Sequence, residues 1–70
     1  MNVTRVSVFG AESSRGYDCA VRLGLQRARD MVGDDLLSVE KYTVTDRRHE
    51  IEADGQQYYT VGLNVHFQVE

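Results

Sequence analysis

The chain closes on a run of residues that alternates without a break. Tyr59, Val61, Leu63, Val65, Phe67 and Val69 are apolar, and Tyr58, Thr60, Gly62, Asn64, His66 and Gln68 stand between them. Successive side chains on a strand point to opposite faces, so this segment predicts one long strand with an apolar face and a mostly polar one. A strand of that kind must lay its apolar face on something, and the rest of the chain has to supply the cover.

The cover has to come from a short chain. Seventy residues make one domain, 1–70, and 41% of them are apolar, in the range of a folded globular protein. A domain this size has a thin core, and small proteins usually add a disulfide, a metal or a partner subunit. Cys19 is the lone cysteine, which excludes a disulfide within the chain. His49 and His66 with one cysteine show no paired zinc-ligand spacing. Self-association is the staple that remains. The net charge of −3, from 8 basic and 11 acidic residues, argues against a nucleic-acid footprint. No apolar run approaches the roughly 20 residues of a membrane span. The opening MNVTRVSVFG lacks the layout of a signal peptide, so a cytoplasmic protein is expected.

Upstream of the last strand, Val3 to Phe9 reads as a short β-branched strand and Gly10 to Gly16 as a turn, with Ser13 or Ser14 as helix N-cap candidates. A helix is predicted from about Ser14 to Val32. Tyr17, Ala20, Val21, Gly24, Ala28, Met31 and Val32 form its apolar stripe at spacings of three and four. Gly24 is costly in a helix and marks a place where something packs close. Gly33-Asp34-Asp35 stops the helix, and Leu36 to about Ala53 is a second extended segment. Asp54-Gly55 is a hairpin turn signal, and the last strand runs from Gln56 to Val69. The order is β-α-β-β.

A two-residue Asp54-Gly55 loop would set Val44 opposite Val65, Tyr42 opposite Phe67, Ile51 opposite Tyr58 and Thr43 opposite His66. It would also put Asp46, Arg48 and Glu50 on the apolar face and Val39 out of phase; a bulge in the second strand repairs both. The helix is too short to cover the whole hairpin. Its turn end is expected to project, with Ile51, Tyr58 and Tyr59 clustered there as a subunit contact.

This order and these residues resemble the dodecins, small β-α-β-β proteins that assemble as hollow dodecamers and commonly bind flavins. The resemblance rests on Thr4-Arg5-Val6, on Ser13, on Asp18-Cys19-Ala20 through Gln26-Arg27-Ala28, and on Tyr59 to Phe67. It implies an α+β fold: a three-stranded antiparallel sheet wrapped on one helix and assembled as a homo-oligomer. It also implies a flavin, FMN or riboflavin, held between subunits. The family's stacking Trp is absent here; Leu36 or Leu37 stands at its place and offers contact without a π face. The family's flavin-bonding Gln is replaced by Thr60, with one hydroxyl for an amide. Gln56 and Gln57 lie close by. The hairpin is several residues longer, with Asp46-Arg47-Arg48-His49 as the added part.

The remaining polar groups have plain readings. Asp30, Asp34 and Asp35 make an acidic helix end without EF-hand spacing, read as a solvated corner more readily than as a cation site. Arg47, Arg48 and His49 read as ion-pairing residues, Gly62 as room opposite Arg47, His66 as an interface or lining residue, and Cys19 as a half-buried inert thiol. No phosphate loop, nucleophile elbow or catalytic carboxylate pair is present, so no enzyme is expected. The expected function is a cytoplasmic, dodecin-like homo-oligomer, most plainly a dodecamer, that binds or stores a small ligand without catalysis. Flavin is the implied ligand, with Leu37 as apolar wall, Thr60 as polar contact and Gln57 as a further candidate. The alternative is the same assembly as a structural protein that binds no flavin and holds another ligand or metal ions.

Overall fold

The computed structural model describes residues 2–70. Strand β1 spans Asn2–Ser13, helix α1 Tyr17–Val32, a short 3-10 turn Gly33–Asp35, strand β2 Leu36–Ile51 and strand β3 Gln57–Val69. The three strands form one antiparallel sheet in the order β1-β3-β2. The expected β-α-β-β order is what the chain adopts. Its last strand is central because it alone carries an unbroken apolar face for neighbours on both sides.

That face makes the core. Phe67, Leu63, Val61 and Val65 are the largest fully buried side chains, joined by Val8 and Ala11 of β1 and by Ala20 and Ala28 of α1. Burying a side chain of the Val, Leu or Phe class contributes roughly 1.5–3 kcal/mol. The helix meets the sheet through small residues. Ala20, Gly24 and Ala28 are its buried positions, one per turn. A Cβ at Gly24 would lie 2.6 Å from Leu63 Cδ1 and 3.2 Å from Ala11 Cβ. Gly24 is therefore the close-approach point that its cost in a helix implied. Leu25 packs at the core edge, which the expected stripe omitted, whereas Met31 is 64% exposed.

Several local expectations are corrected. Strand β1 does not stop at Phe9. A bulge between Val8 and Ala11 carries it on to Ser13, with Gly10 at φ 72° supplying the left-handed residue such a bulge takes. Ser13 and Ser14 do not cap the helix: the N-cap is Gly16 with no side-chain bond, and the Arg15 N–H donates to Ser13 Oγ at 3.0 Å. The hairpin loop is longer than two residues. Glu52 N–H donates to Gln56 O, Gly55 N–H to Glu52 O, and Gln56 N–H to Asp54 Oδ1. The register shifts accordingly. Val44 faces Leu63, Tyr42 faces Val65, Ile51 faces Gln57, and His66 faces Lys41. The anticipated bulge in β2 is present three times, between Leu36 and Ser38, Val39 and Lys41, and Val44 and Asp46. Together these shifts bring Val39 opposite Phe67, and Asp46 and Arg48 opposite Gly62 and Thr60 on the polar face.

The helix covers only part of the sheet. Sixteen helical residues span about 24 Å, whereas the molecule is 48 Å long. The hairpin end projects as expected, but not with the expected cluster. Tyr59 and Ile51 lie on the helix-side face opposite His49 and Gln57, while Tyr58 pairs with Glu50 on the other face.

Two substitutions test the helix–sheet contact at fixed protein concentration. Gly24→Ala gains about 1 kcal/mol of helix propensity but forces a methyl group onto Leu63, and overpacking of this kind costs about 1–3 kcal/mol. The denaturant midpoint should fall by a small but measurable amount; a rise would mean the helix backs off freely. Leu63→Ala should cost about 2–5 kcal/mol by leaving a cavity under Gly24.

Candidate functional site

The two faces of β3 divide the polar residues of the chain. On the outer face, away from α1, Thr60 stands between Glu12 of β1 and Arg48 of β2. It is 6% exposed. One row along, Gly62 faces Asp46 rather than Arg47. A Cβ at Gly62 would lie 2.9 Å from Thr45 Oγ1, because the β2 bulge folds Thr45 over the glycine. Gly62 is therefore filled by its own strand neighbour and is not an open slot. Arg48 and Asp46 pair at 3.3 Å across this edge. Both are largely exposed, so the pair adds little stability. Farther along, Ser7 Oγ donates to Asn64 Oδ1 at 2.7 Å.

Leu37 occupies the opposite end of the sheet. It sits in the first β2 bulge, beside Gln68 and Val69, with its neighbour Leu36 turned to the core edge. Of the two leucines, Leu37 is thus the one left half-exposed, at 52%. Eight residues separate Gln68 from Thr60 along β3, about 26 Å at strand rise. One protomer does not bring Leu37 and Thr60 together.

Gln57 lies on the helix-side face near the hairpin turn, and there it is already engaged. Its Oε1 accepts a 2.8 Å hydrogen bond from the His49 ring Nε2 and is 3.5 Å from the Tyr59 hydroxyl. His49 stacks on Tyr59 with centroids 4.4 Å apart and planes 8° apart. Tyr59 meets Tyr17 edge-on at 5.0 Å, and the Arg47 guanidinium sits 5.7 Å from the Tyr17 ring centre. This chain of flat side chains closes the sheet where α1 has ended. A register one residue off hid it: the two-residue loop set Tyr59 opposite Glu50, whereas the longer loop sets it opposite His49.

Cys19 is half-buried. Among the described residues, no three His, Cys, Asp or Glu side chains are grouped to hold a metal ion, Asp30, Asp34 and Asp35 included. Among the same residues, no helix is long and apolar enough to cross a membrane.

No protein-family model matches the chain, and no curated protein matches it. Solved structures do. A protein of Thermus thermophilus is 29% identical with a TM-score of 0.75, over 99% of this chain and 94% of that one. A dodecin of Thermus thermophilus, crystallised with a tryptophan replaced by phenylalanine, is 29% identical with a TM-score of 0.74, over 99% of this chain and 96% of that one. A calcium dodecin of Mycobacterium tuberculosis, a calcium-chelating antigen, is 23% identical with a TM-score of 0.73, over 100% of this chain and 93% of that one. The last likeness is one of fold. The helix-covered three-stranded sheet, its β-α-β-β order and this end-to-end similarity to the Thermus dodecin lead to one assignment: the chain has the dodecin fold.

Proposed function

We propose that the protein is a non-catalytic, cytoplasmic homo-oligomer that stores a small ligand, with flavin as the ligand and a dodecamer as the assembly. The observation that carries the reading is the separation of Leu37 from Thr60. A pocket that uses both as wall and polar contact takes Leu37 from one subunit and Thr60 from another. Self-association also has the surface it needs. Phe9, Ile51, Met31 and Val3 are all more than half exposed, at 77%, 65%, 64% and 58%, which a lone 70-residue domain pays for in unburied apolar area.

The residues present suit a ring that is packed rather than stacked. Leu37 offers exposed apolar surface and Thr60 a single hydroxyl. Gln57 would have to leave His49 to take part. A flavin held this way supplies no chemistry to the protein; it is shielded and released. The second reading is a structural assembly that binds no flavin and holds ions. The missing π face favours it, as does the calcium chelation named for the Mycobacterium relative. With no three candidate ligands grouped among the described residues, such an ion would be shared between subunits.

Light scattering should give a molar mass near a twelvefold multiple of the 8.0 kDa chain; a monodisperse monomer defeats both readings. Titration of the purified protein into riboflavin and into flavin mononucleotide should quench flavin fluorescence, and Leu37→Asp should weaken that quenching at least about tenfold, or 1.4 kcal/mol. Untouched fluorescence with an intact assembly leaves the structural reading.

A further inference from the structure

The projecting end of the hairpin is acidic with one bare aliphatic group. Glu50, Glu52 and Asp54 fall between Glu50 and Gln56, and that stretch holds no Lys or Arg. All of its residues are exposed. Among the described residues, none of these three carboxylates has a basic group within 4.0 Å. Ile51 stands among them, 65% exposed and opposite Gln57. The helix has ended before this point, so Ile51 has nothing of its own chain to lie on.

Farther back along β2, the helix-side surface is open. α1 packs on β1 and β3 and barely meets β2. The gap between them is a groove of about 350 Å3, walled by Val21 and Leu25 of the helix and by Tyr42 and Val44 of the strand. Arg22 and Arg47 also line it, with Asp18 as the one acid. Neither arginine has a carboxylate within 4.0 Å among the described residues, Asp18 included. The Tyr17 ring holds Arg47 in place, its centre 5.7 Å from the guanidinium carbon.

The tip and the groove are complementary. An aliphatic knob faces an apolar hole, and carboxylates without partners meet arginines without partners. The match cannot be made within one chain. Seven residues separate Val44 from Ile51, roughly 20 Å at strand rise. A strand paired to β3 along that length does not fold back on itself. The tip therefore reaches the groove of another copy. The two patches are different, so the contact is head-to-tail, and each copy offers one tip and one groove.

We infer that the hairpin tip of one copy, with Ile51 as its knob, seats in the α1–β2 groove of a second copy, where Glu52 pairs with Arg22. The inference rests on the self-association reading above and names a surface which that reading uses. It is independent of any bound ligand.

The test uses the full chain. Light scattering follows molar mass over a dilution series, and circular dichroism checks the fold of each variant. Ile51, Arg22 and Glu52 are exposed and lie outside the core. Ile51→Asp, Arg22→Glu and Glu52→Arg should each raise the concentration at which the assembly dissociates, Ile51→Asp by at least about tenfold, or 1.4 kcal/mol. Arg22→Glu combined with Glu52→Arg should recover most of the loss, because the pair is rebuilt with its signs exchanged. Should Ile51→Asp lose its dichroism, this exchange decides, since it leaves Ile51 in place. A wild type that is monomeric at every concentration defeats self-association and the contact together. An assembled wild type whose midpoint none of the variants moves keeps self-association and overturns the contact. A shift from Arg22→Glu without one from a folded Ile51→Asp overturns it too, because another occupant then holds the groove. An exchange that recovers nothing does the same.

Discussion

The arrangement depends on how closely α1 can approach β3. Gly24 leaves no side chain between the helix backbone and Leu63, and Ala20 and Ala28 keep the turns above and below equally thin. The large groups are all on the sheet side: Val61, Leu63, Val65 and Phe67 fill the space that the helix leaves open. Small residues on one partner and large on the other give a dense contact from few residues, which a domain of this size requires. The contact also fixes where the helix sits, over β1 and β3, because Ala11 of β1 shares the Gly24 niche.

From that placement follows the shape of the rest. A helix seated over the middle of β3 runs out before the hairpin does, and the sheet beyond it needs another lid. Tyr17 at the first helical position reaches Tyr59, Tyr59 carries His49, and Arg47 rests on Tyr17. These side chains are amphipathic: their faces cover apolar surface and their edges stay wet. The outer face of the sheet has no such lid. It is polar along β3 and charged on the flanking strands, with a basic row of Arg5, His66 and Lys41 at one end and the Arg48–Asp46 pair and Glu12 at the other. Thr60 lies on that outer face and Leu37 in a bulge beside it, whereas Gln57 lies on the helix side, so the alternation of a single strand separates them.

The legible parts and the hidden parts differ in kind. The central strand, the helix and the close-packing glycine could be read because each depends on local periodicity or on one residue type in one environment. Register could not. Asp54-Gly55 does form the turn, but Glu52 and Gln56 bond across it, and one added loop residue moves every pairing upstream. Three bulges then move them again. Thr43 was expected beside His66, and Lys41 stands there; Arg47 was expected beside Gly62, and Asp46 stands there. The basic row and the His49–Tyr59 stack are both products of those shifts. Bulges leave little mark in composition, since the extra residue can be almost any type: here Leu37, Glu40 and Thr45.

By itself, the amino-acid sequence determined the element order, the two-faced last strand and the core residues that this strand and the small helix positions supply, because hydrophobic periodicity acts within one element and needs no partner to be read. The apolar side chain at Leu37 and the hydroxyl at Thr60 were likewise set residue by residue. Only the tertiary structure decided which strands flank β3, which cations line up across it, and that Leu37 and Thr60 stand at opposite ends of one sheet. Those are relations between distant segments, set by loop length and bulges, and a shift of one residue exchanges one partner for another.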